Sequence, residues 1–365
     1  MNIGMIGPVL PYRGGISHYT TELHRSLSKK CNLYTVSFKR QYPKILYPGK
    51  SDIEQKIKYH KENGVEYIID SINPFSWKKA VKYLKKNKVE TVIIMWWSIY
   101  WFFCFRYMAK FLRKRGIKVL FLCHNIYDHE SSGIKKYLSK KILNKGTHYL
   151  VHSSEALEQL KSFVGSGNII SMNHPVYNRF PFAKGILKRR ARLELLFFGI
   201  VRAYKGIDML LDALEILKNE DLFLTIAGEW WIKDKNLLLK SEKLKSRCEV
   251  INKYVSEDDL AEYFARCDAV VLPYKSSHGS GVIEIALHYR KPVIATKVGD
   301  FVDKVKDNET GFLIDVDNCT ALIEAVKKLF DEKTLSRLIE NIVESSKNRK
   351  NTWENFADNL ISFIK

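Results

Sequence analysis

The sequence predicts an α/β protein of two tandem Rossmann-like, doubly wound domains facing each other across a cleft. Three observations predict it. The length of 365 residues exceeds one ordinary domain and fits two. Short apolar runs alternate with amphipathic segments through the first half, the pattern of a parallel sheet with helices on both faces. A polar, proline-containing passage then interrupts the alternation, and after it the alternation begins afresh.

In chain order, the buried-strand runs of the first half are 2–6, 33–37, 65–69, 91–96, 117–122 and 147–151. Between them lie amphipathic segments such as Ile16–Leu27, Trp77–Leu84 and Ile134–Leu143. The stretch Thr91–Phe105 is 15 residues without a charge, closed by Glu90 and Arg106. A spanning helix needs roughly 20 apolar residues, so the stretch reads as a strand over 91–96 that runs on into a helix through Arg115. The first domain is expected over 1–178. The interruption, with His174-Pro175, Phe180-Pro181 and the basic run Lys188-Arg189-Arg190, sets a linker at 179–192. The second domain, 193–348, carries strands at 193–198, 222–227, 249–251, 269–272, 292–295 and 312–314. Helices are expected at Ile207–Leu217, 318–330 and 334–345, with a last one at 352–364 within a C-terminal segment, 349–365.

Charge is unevenly spread. Residues 1–180 hold 30 Lys and Arg against 11 Asp and Glu, whereas residues 181–365 hold 30 against 29. Almost the whole net charge of +20 therefore sits in the first half, which points that half at an anionic partner. No nucleic-acid motif accompanies the charge. The six cysteines, at 31, 104, 123, 248, 267 and 319, include no CxxC pair, so zinc and redox motifs are not expected and a reducing cytoplasm is. Met1 leads straight into an apolar run closed by Gly7-Pro8 with no basic segment before it, and no leader is expected.

In doubly wound sheets ligands bind beyond the carboxyl ends of the strands, so the loops after strands are the places to look for chemistry. The first holds Gly14-Gly15 and opens a helix, whose free N–H groups suit phosphate, although the spacing is not GxGxxG. The second, Cys123-His124-Asn125-Ile126-Tyr127-Asp128-His129-Glu130, sets polar side chains after a buried strand, with His124 placed to hold a hydroxyl and Asn125, His129 and Glu130 as acceptor-side candidates. It lacks HExxH, so no metal site is read there. The third, Gly199 to Asp208, puts Arg202 and Lys205 beside a helix N-terminus, the makings of a pyrophosphate site. The fourth runs from Leu272 through Ser280, Gly281 and Val282 to Glu284, which lies about one turn inside an apolar helix, where a carboxylate can accept both hydroxyls of a ribose. The only DxD, Asp315-Val316-Asp317, follows a strand and reads as a turn.

Together these segments resemble the GT-B glycosyltransferases, most closely the retaining family 4 type. The resemblance covers nearly the whole chain. It is carried by Gly14-Gly15, His124-Asn125, Ser153 in Val-His-Ser-Ser, the run Phe198 to Asp208, Ile226-Ala227-Gly228, Tyr254-Val255-Ser256, Leu272-Pro273, Glu284, Pro292 to Thr296, and Gly311-Phe312-Leu313. It implies a nucleoside diphosphate sugar as donor. Arg202 and Lys205 would hold the diphosphate, Glu284 the ribose, and the backbone around Ser280, Gly281 and Val282 the phosphates, with Gly199 in the same loop cluster. Gly15 would let the first domain's backbone approach the donor, His124 would meet the donor sugar near the reacting carbon, and the C-terminal segment 349–365 would cross back onto the first domain. The family often has two glutamates eight positions apart, and Ser276 stands where the first would be.

The reading is transfer of a glycosyl group to an acceptor hydroxyl in cell-surface polysaccharide or glycolipid assembly, with retention implied by the resemblance. Charge stabilisation of the leaving diphosphate would drive it without a metal or other cofactor. A GT-B sugar-nucleotide epimerase or a non-catalytic sugar-nucleotide-binding protein is the alternative. The basic first half carries the aromatic and basic stretch Trp96 to Arg115, which suits a position on the inner face of a membrane and a lipid-linked acceptor.

Overall fold

A computed structural model describes residues 1–47, 49–127, 133–165, 167–175, 180–185, 187–232, 234–277, 281–347 and 352–365. The chain forms two compact units, Met1–Pro175 with Asn351–Lys365, and Val176–Lys350.

In the first unit a parallel sheet holds the strands β1 (Asn2–Ile6), β2 (Asn32–Arg40), β3 (Val65–Asp70), β4 (Thr91–Trp96), β5 (Lys118–Cys123), β6 (His148–Val151) and β7 (Asn168–Ser171), in the order β3-β2-β1-β4-β5-β6-β7. Ile6 pairs with Val36 on one side and Ile94 on the other, so the strand order reverses at β1. Central strands of such a sheet are covered on both faces and read as unbroken apolar runs. All six residues of β4 are buried accordingly. The helices are α1 (Gly15–Ser28), α2 (Pro74–Lys86), α3 (Phe102–Arg113), α4 (Gly133–Leu143) and α5 (Ser154–Val164). Their starts follow local chemistry. Asn73 caps α2 by accepting from the Phe75 N–H at 3.0 Å, with Pro74 in the first turn, and Ser153 caps α5 by accepting from the Ala156 N–H at 3.1 Å. Ser153 thus has a structural task. The C-terminal helix Trp353–Ile364 packs on α1, burying Trp353, Phe356, Leu360 and Ile364 at helical spacing, and Lys30 Nζ meets Asp358 at 2.7 Å.

The sequence expectation of an interfacial aromatic helix is corrected here. Trp96, Trp101, Phe102 and Phe105 are buried in the core, Trp97, Tyr100 and Tyr107 are half-buried against it, and Phe103 alone of the group stands out, 74% exposed. The stripe Trp101, Phe105, Met108 and Leu112 recurs every three or four residues and turns α3 inward, onto α2 and β5. The positive charges remain outside: Lys78, Lys79, Lys82, Lys85 and Lys86 on α2, and Lys110, Arg113, Lys114 and Arg115 at the end of α3, are all exposed. Among the described residues no helix is long and apolar enough to cross a membrane.

The second unit repeats the plan. Its parallel strands β8 (Leu193–Phe198), β9 (Leu222–Ala227), β10 (Cys248–Ile251), β11 (Ala269–Leu272), β12 (Val293–Thr296) and β13 (Gly311–Ile314) run in the order β10-β9-β8-β11-β12-β13. The order reverses between β8 and β11, which pair directly through Leu196 and Val270. The helices are α6 (Ile207–Ile216), α7 (Lys235–Lys243), α8 (Glu257–Arg266), α9 (Gly281–His288), α10 (Phe301–Lys304), α11 (Cys319–Lys328) and α12 (Glu332–Lys347). Of the expected linker, 179–192, Pro181 and Arg189 are held to this unit: Tyr289 donates its hydroxyl to the Pro181 carbonyl at 2.7 Å, and Arg189 Nη1 bonds Asp268 at 3.0 Å.

Because Trp101 fills the centre of the first unit's aromatic core, Trp101→Ala is expected to destabilise that unit by about 3–5 kcal/mol. A urea titration followed by tryptophan fluorescence reads this as a lowered first midpoint, and an unchanged midpoint would contradict the packing described.

Candidate functional site

The loops at the second unit's reversal point are brought together by close backbone contact. Gly206 adopts the left-handed conformation (φ 68°, ψ 29°) between a 3₁₀ turn, Ala203–Lys205, and α6. A β-carbon there would lie 1.9 Å from the Pro273 carbonyl oxygen, so the loop after β8 touches the loop after β11 at a position only glycine fits. Lys275 completes the junction. Its N–H donates to the Tyr204 carbonyl at 2.6 Å, and its ammonium pairs with Asp208 at 2.7 Å.

This junction turns Lys205 inward. Its side chain runs beneath Gly199, where a β-carbon would come within 3.2 Å of Nζ, and its ammonium lies 5.0 Å from the Tyr274 ring centre. Lys205 is only 8% exposed. Burial, and after it the neighbouring Arg202 charge, push its pKa down to about 7. The Arg202 guanidinium is exposed and stacks 4.6 Å from the Trp231 ring centre. Among the described residues neither cation has a carboxylate partner. Two adjacent positive groups without a counter-charge, at the start of α6, form a site that an anion would relieve.

The N-terminus of α9 adjoins it: a β-carbon on Gly199 would lie 3.8 Å from Val282 Cγ2. Gly281 opens α9, and Glu284, one turn in, is 5% exposed with Oε1 3.5 Å from Lys304 Nζ. Ser280 lies outside the described residues. Arg202, Lys205, Gly199, Gly281, Val282 and Glu284 therefore all lie on loops or helix starts at the carboxyl ends of β8 and β11.

In the first unit, Gly14 has φ 95° and precedes α1. Among the described residues, chain neighbours and the helix's own backbone aside, no atom lies within 4 Å of where a β-carbon on Gly14 or Gly15 would be. His124, after β5, sets its ring edge-on to Tyr19, with centres 4.7 Å apart, and 5.7 Å from His152. Its Nε2 is buried and makes no hydrogen bond among the described residues. Burial first, and then His152, hold its pKa well below the usual imidazole range, so the ring is neutral at pH 7. It can orient a hydroxyl but does not carry a proton to give. Asn125 is committed to the backbone, Nδ2 donating to the Trp97 carbonyl at 3.0 Å. His129 and Glu130 lie outside the described residues.

Sequence reasoning missed two groups. His152 and His174 also flank Tyr19, at 5.3 and 4.9 Å, and both bond a backbone carbonyl through Nδ1. For His152 the available signal was its position just after the apolar run of β6, whereas β7, before His174, offers no such run. The other is Lys304 with Asp300, twenty and sixteen residues beyond Glu284, for which the sequence carries no signal. Among the described residues no group of three His, Cys, Asp or Glu is placed to hold a metal ion.

Comparison with known proteins adds the following. Residues 181–349 match the family described as Glycosyl transferases group 1. A GDP-mannose:glycolipid 4-beta-D-mannosyltransferase of Xanthomonas campestris pv. campestris is 36% identical over 103 residues, which are 28% of this chain and 30% of the relative. The chain thus spans about a third of the length of this curated relative. Across the whole chain, the fold resembles that of a sucrose-phosphate synthase from Thermosynechococcus elongatus (TM-score 0.75, 17% identity, covering 100% of this chain and 98% of that one). It also resembles Anabaena HepE in complex with UDP (TM-score 0.76, 12% identity, 100% and 99% covered). These likenesses are of fold, and the fold is the two-domain α/β architecture of those proteins.

The neutral His124 carries a stability consequence. Below pH 6.5 the unfolded chain binds a proton at this position and the folded chain does not, so stability falls as pH drops through that value. The urea midpoint of the first unit should fall between pH 7 and pH 5 by more in the wild type than in His124→Gln. Equal falls would show that His124 is not a buried neutral ring.

Proposed function

We propose that this chain, whose residues 181–349 form a domain of the glycosyl transferases group 1, moves a sugar from a nucleoside diphosphate sugar to an acceptor hydroxyl in the assembly of a cell-surface glycolipid or polysaccharide. The observation that carries the reading is the pair of basic groups at the carboxyl end of β8, Lys205 and Arg202, which have no carboxylate partner among the described residues. When the bond between the sugar's anomeric carbon and the diphosphate breaks, negative charge accumulates on the leaving oxygen. A fixed, buried cation such as Lys205 lowers that barrier more than the same charge would in water, because it need not reorient. Lys205 also gains by the reaction, since a diphosphate restores the proton that burial makes costly to keep.

In this reading Glu284 accepts the ribose hydroxyls and the start of α9, with Gly281 and Val282, faces the phosphates. The first unit supplies the acceptor side, while its Gly14-Gly15 backbone and His124 meet the donor, as the family resemblance implies. The neutral imidazole suits a role in orienting a hydroxyl. No divalent ion is needed, because two cations and two helix starts supply the positive charge. Retention, which the family resemblance implies, is tested by the anomeric signal of the product, and a β-linked product from an α-linked donor would overturn it. A sugar-nucleotide epimerase would convert the donor without an acceptor, whereas the transferase needs one.

The acceptor is proposed to be lipid-linked. The exposed lysines of α2 and the Lys110, Arg113, Lys114 and Arg115 end of α3 support this, with Phe75 and Phe103 standing out at 83% and 74% exposure. Each cation close to an anionic leaflet contributes about 1 kcal/mol. The printed name of the Xanthomonas relative, which acts on a glycolipid, points the same way.

Arg202→Ala and Lys205→Met are each expected to lower kcat/KM by about 10²-fold or more. Wild-type kcat/KM should survive EDTA and should fall as pH rises above about 7, because the free enzyme's Lys205 then loses its proton. Near-normal activity of both variants, or a loss in EDTA restored by Mg²⁺, would remove the clamp. Liposome co-sedimentation tests the acceptor surface. Binding should require anionic lipid, decline with salt, and drop when Arg113, Lys114 and Arg115 are all changed to Ser, whereas equal binding to neutral vesicles would sink the idea.

A further inference from the structure

Behind Glu284 lies a buried charge cluster that the reading above does not use. Lys304, on α10, places Nζ 2.7 Å from Asp300 Oδ2 and 3.5 Å from Glu284 Oε1. The side chains of Lys304, Glu284 and Asp300 are 11, 7 and 2% exposed. The loop that carries them is held in place. Gly299 has φ 52°, and a β-carbon there would meet the Ser277 carbonyl oxygen at 2.2 Å, so the loop after β12 presses on the segment that leads into α9. Phe301, fully buried, anchors the start of α10.

We propose that Lys304, braced by Asp300, is a positioning residue that holds the Glu284 carboxylate for the two ribose hydroxyls and thereby sets a preference for a ribonucleotide donor. This rests on the reading of Glu284 as the ribose acceptor. A buried carboxylate is costly without a charge beside it, and Lys304 supplies one 3.5 Å from Glu284 Oε1. Burial alone would discharge its ammonium, but the attraction of Asp300 and then of Glu284 outweighs burial and keeps it charged. The short contact is the one to Asp300, so that pair fixes where the ammonium sits. The longer contact restrains one carboxylate oxygen of Glu284, Oε1, at 3.5 Å. Asp300 Oδ1, buried with no hydrogen-bond partner among the described residues, confines Asp300 to a bracing part.

The test is calorimetric binding of UDP, GDP and ADP, each beside its 2′,3′-dideoxy counterpart, to the wild type and to folded variants checked by circular dichroism. The wild type should bind its preferred diphosphate at least about tenfold more tightly than the dideoxy form, since hydrogen bonds to a charged group are lost. Lys304→Met should abolish most of that ratio while leaving dideoxy affinity within about twofold, and Lys304→Arg should restore part of it. The double variant Asp300→Asn/Lys304→Met removes the ion pair together and should behave as Lys304→Met, which covers the case in which the single change does not fold. If Lys304→Met keeps the ratio while Glu284→Gln loses it, Lys304 does not position Glu284 and the proposal falls alone. If Glu284→Gln keeps the ratio too, the ribose assignment fails and this proposal with it. Equal weakening of both nucleotide forms by Lys304→Met would mark a merely structural residue and also overturn it.

Discussion

The Pro273 carbonyl oxygen occupies the space where Gly206 would carry a side chain, and much of the second unit's chemistry follows from that contact. Two loops at a strand-order reversal can share one site only if their backbones approach more closely than a β-carbon permits. Because Gly206 yields that space, the turn before α6 folds back and sends Lys205 inward beneath Gly199. There the ammonium loses its water and, among the described residues, gains no carboxylate, which is an expensive arrangement. Such a cost is tolerable where a ligand removes it, and an anion lying across Arg202 and Lys205 would do so.

The same logic of buried charge separates the two polar clusters of this unit. Around Lys205 the described structure holds cations and aromatic rings. Around Lys304 it holds carboxylates, and the ammonium there is kept charged by them. One lysine is poised to take up a proton with an anion, and the other is already neutralised and serves as a fixed post. Arg would not serve as well at the first position, because a guanidinium stays charged under any burial and could not relax in this way.

In the first unit the constraint is different. A parallel sheet buries both faces of its central strands, so α3 must turn aromatic residues inward to fill the layer over β4 and β5, and its cations are left to the outside. In the same unit, Tyr19 gathers His124, His152 and His174 with Trp353 of the C-terminal helix. Ring packing of this kind fixes the orientation of His124 and leaves it uncharged, which suits a group that aligns a hydroxyl and does not suit a general acid.

The sequence by itself determined the alternation of strands and helices, the loops that carry Gly14-Gly15, His124, Arg202, Lys205 and Glu284, and the place of most elements to within a few residues. These are local facts, written in apolar runs, glycines and caps such as Asn73 and Ser153. It did not reveal β7, a four-residue strand at the sheet edge that is only half-buried and so lacks an apolar run. Nor could it orient the stretch from Thr91 to Phe105, because an unbroken apolar run has no period from which to read a face. Only packing against α2 and β5 put Trp101 inside and Phe103 outside. The tertiary structure alone decided that Lys205 is buried and near-neutral, and that Lys304 and Asp300 stand behind Glu284. Charge and burial belong to neighbours in space, and these neighbours lie far apart along the chain.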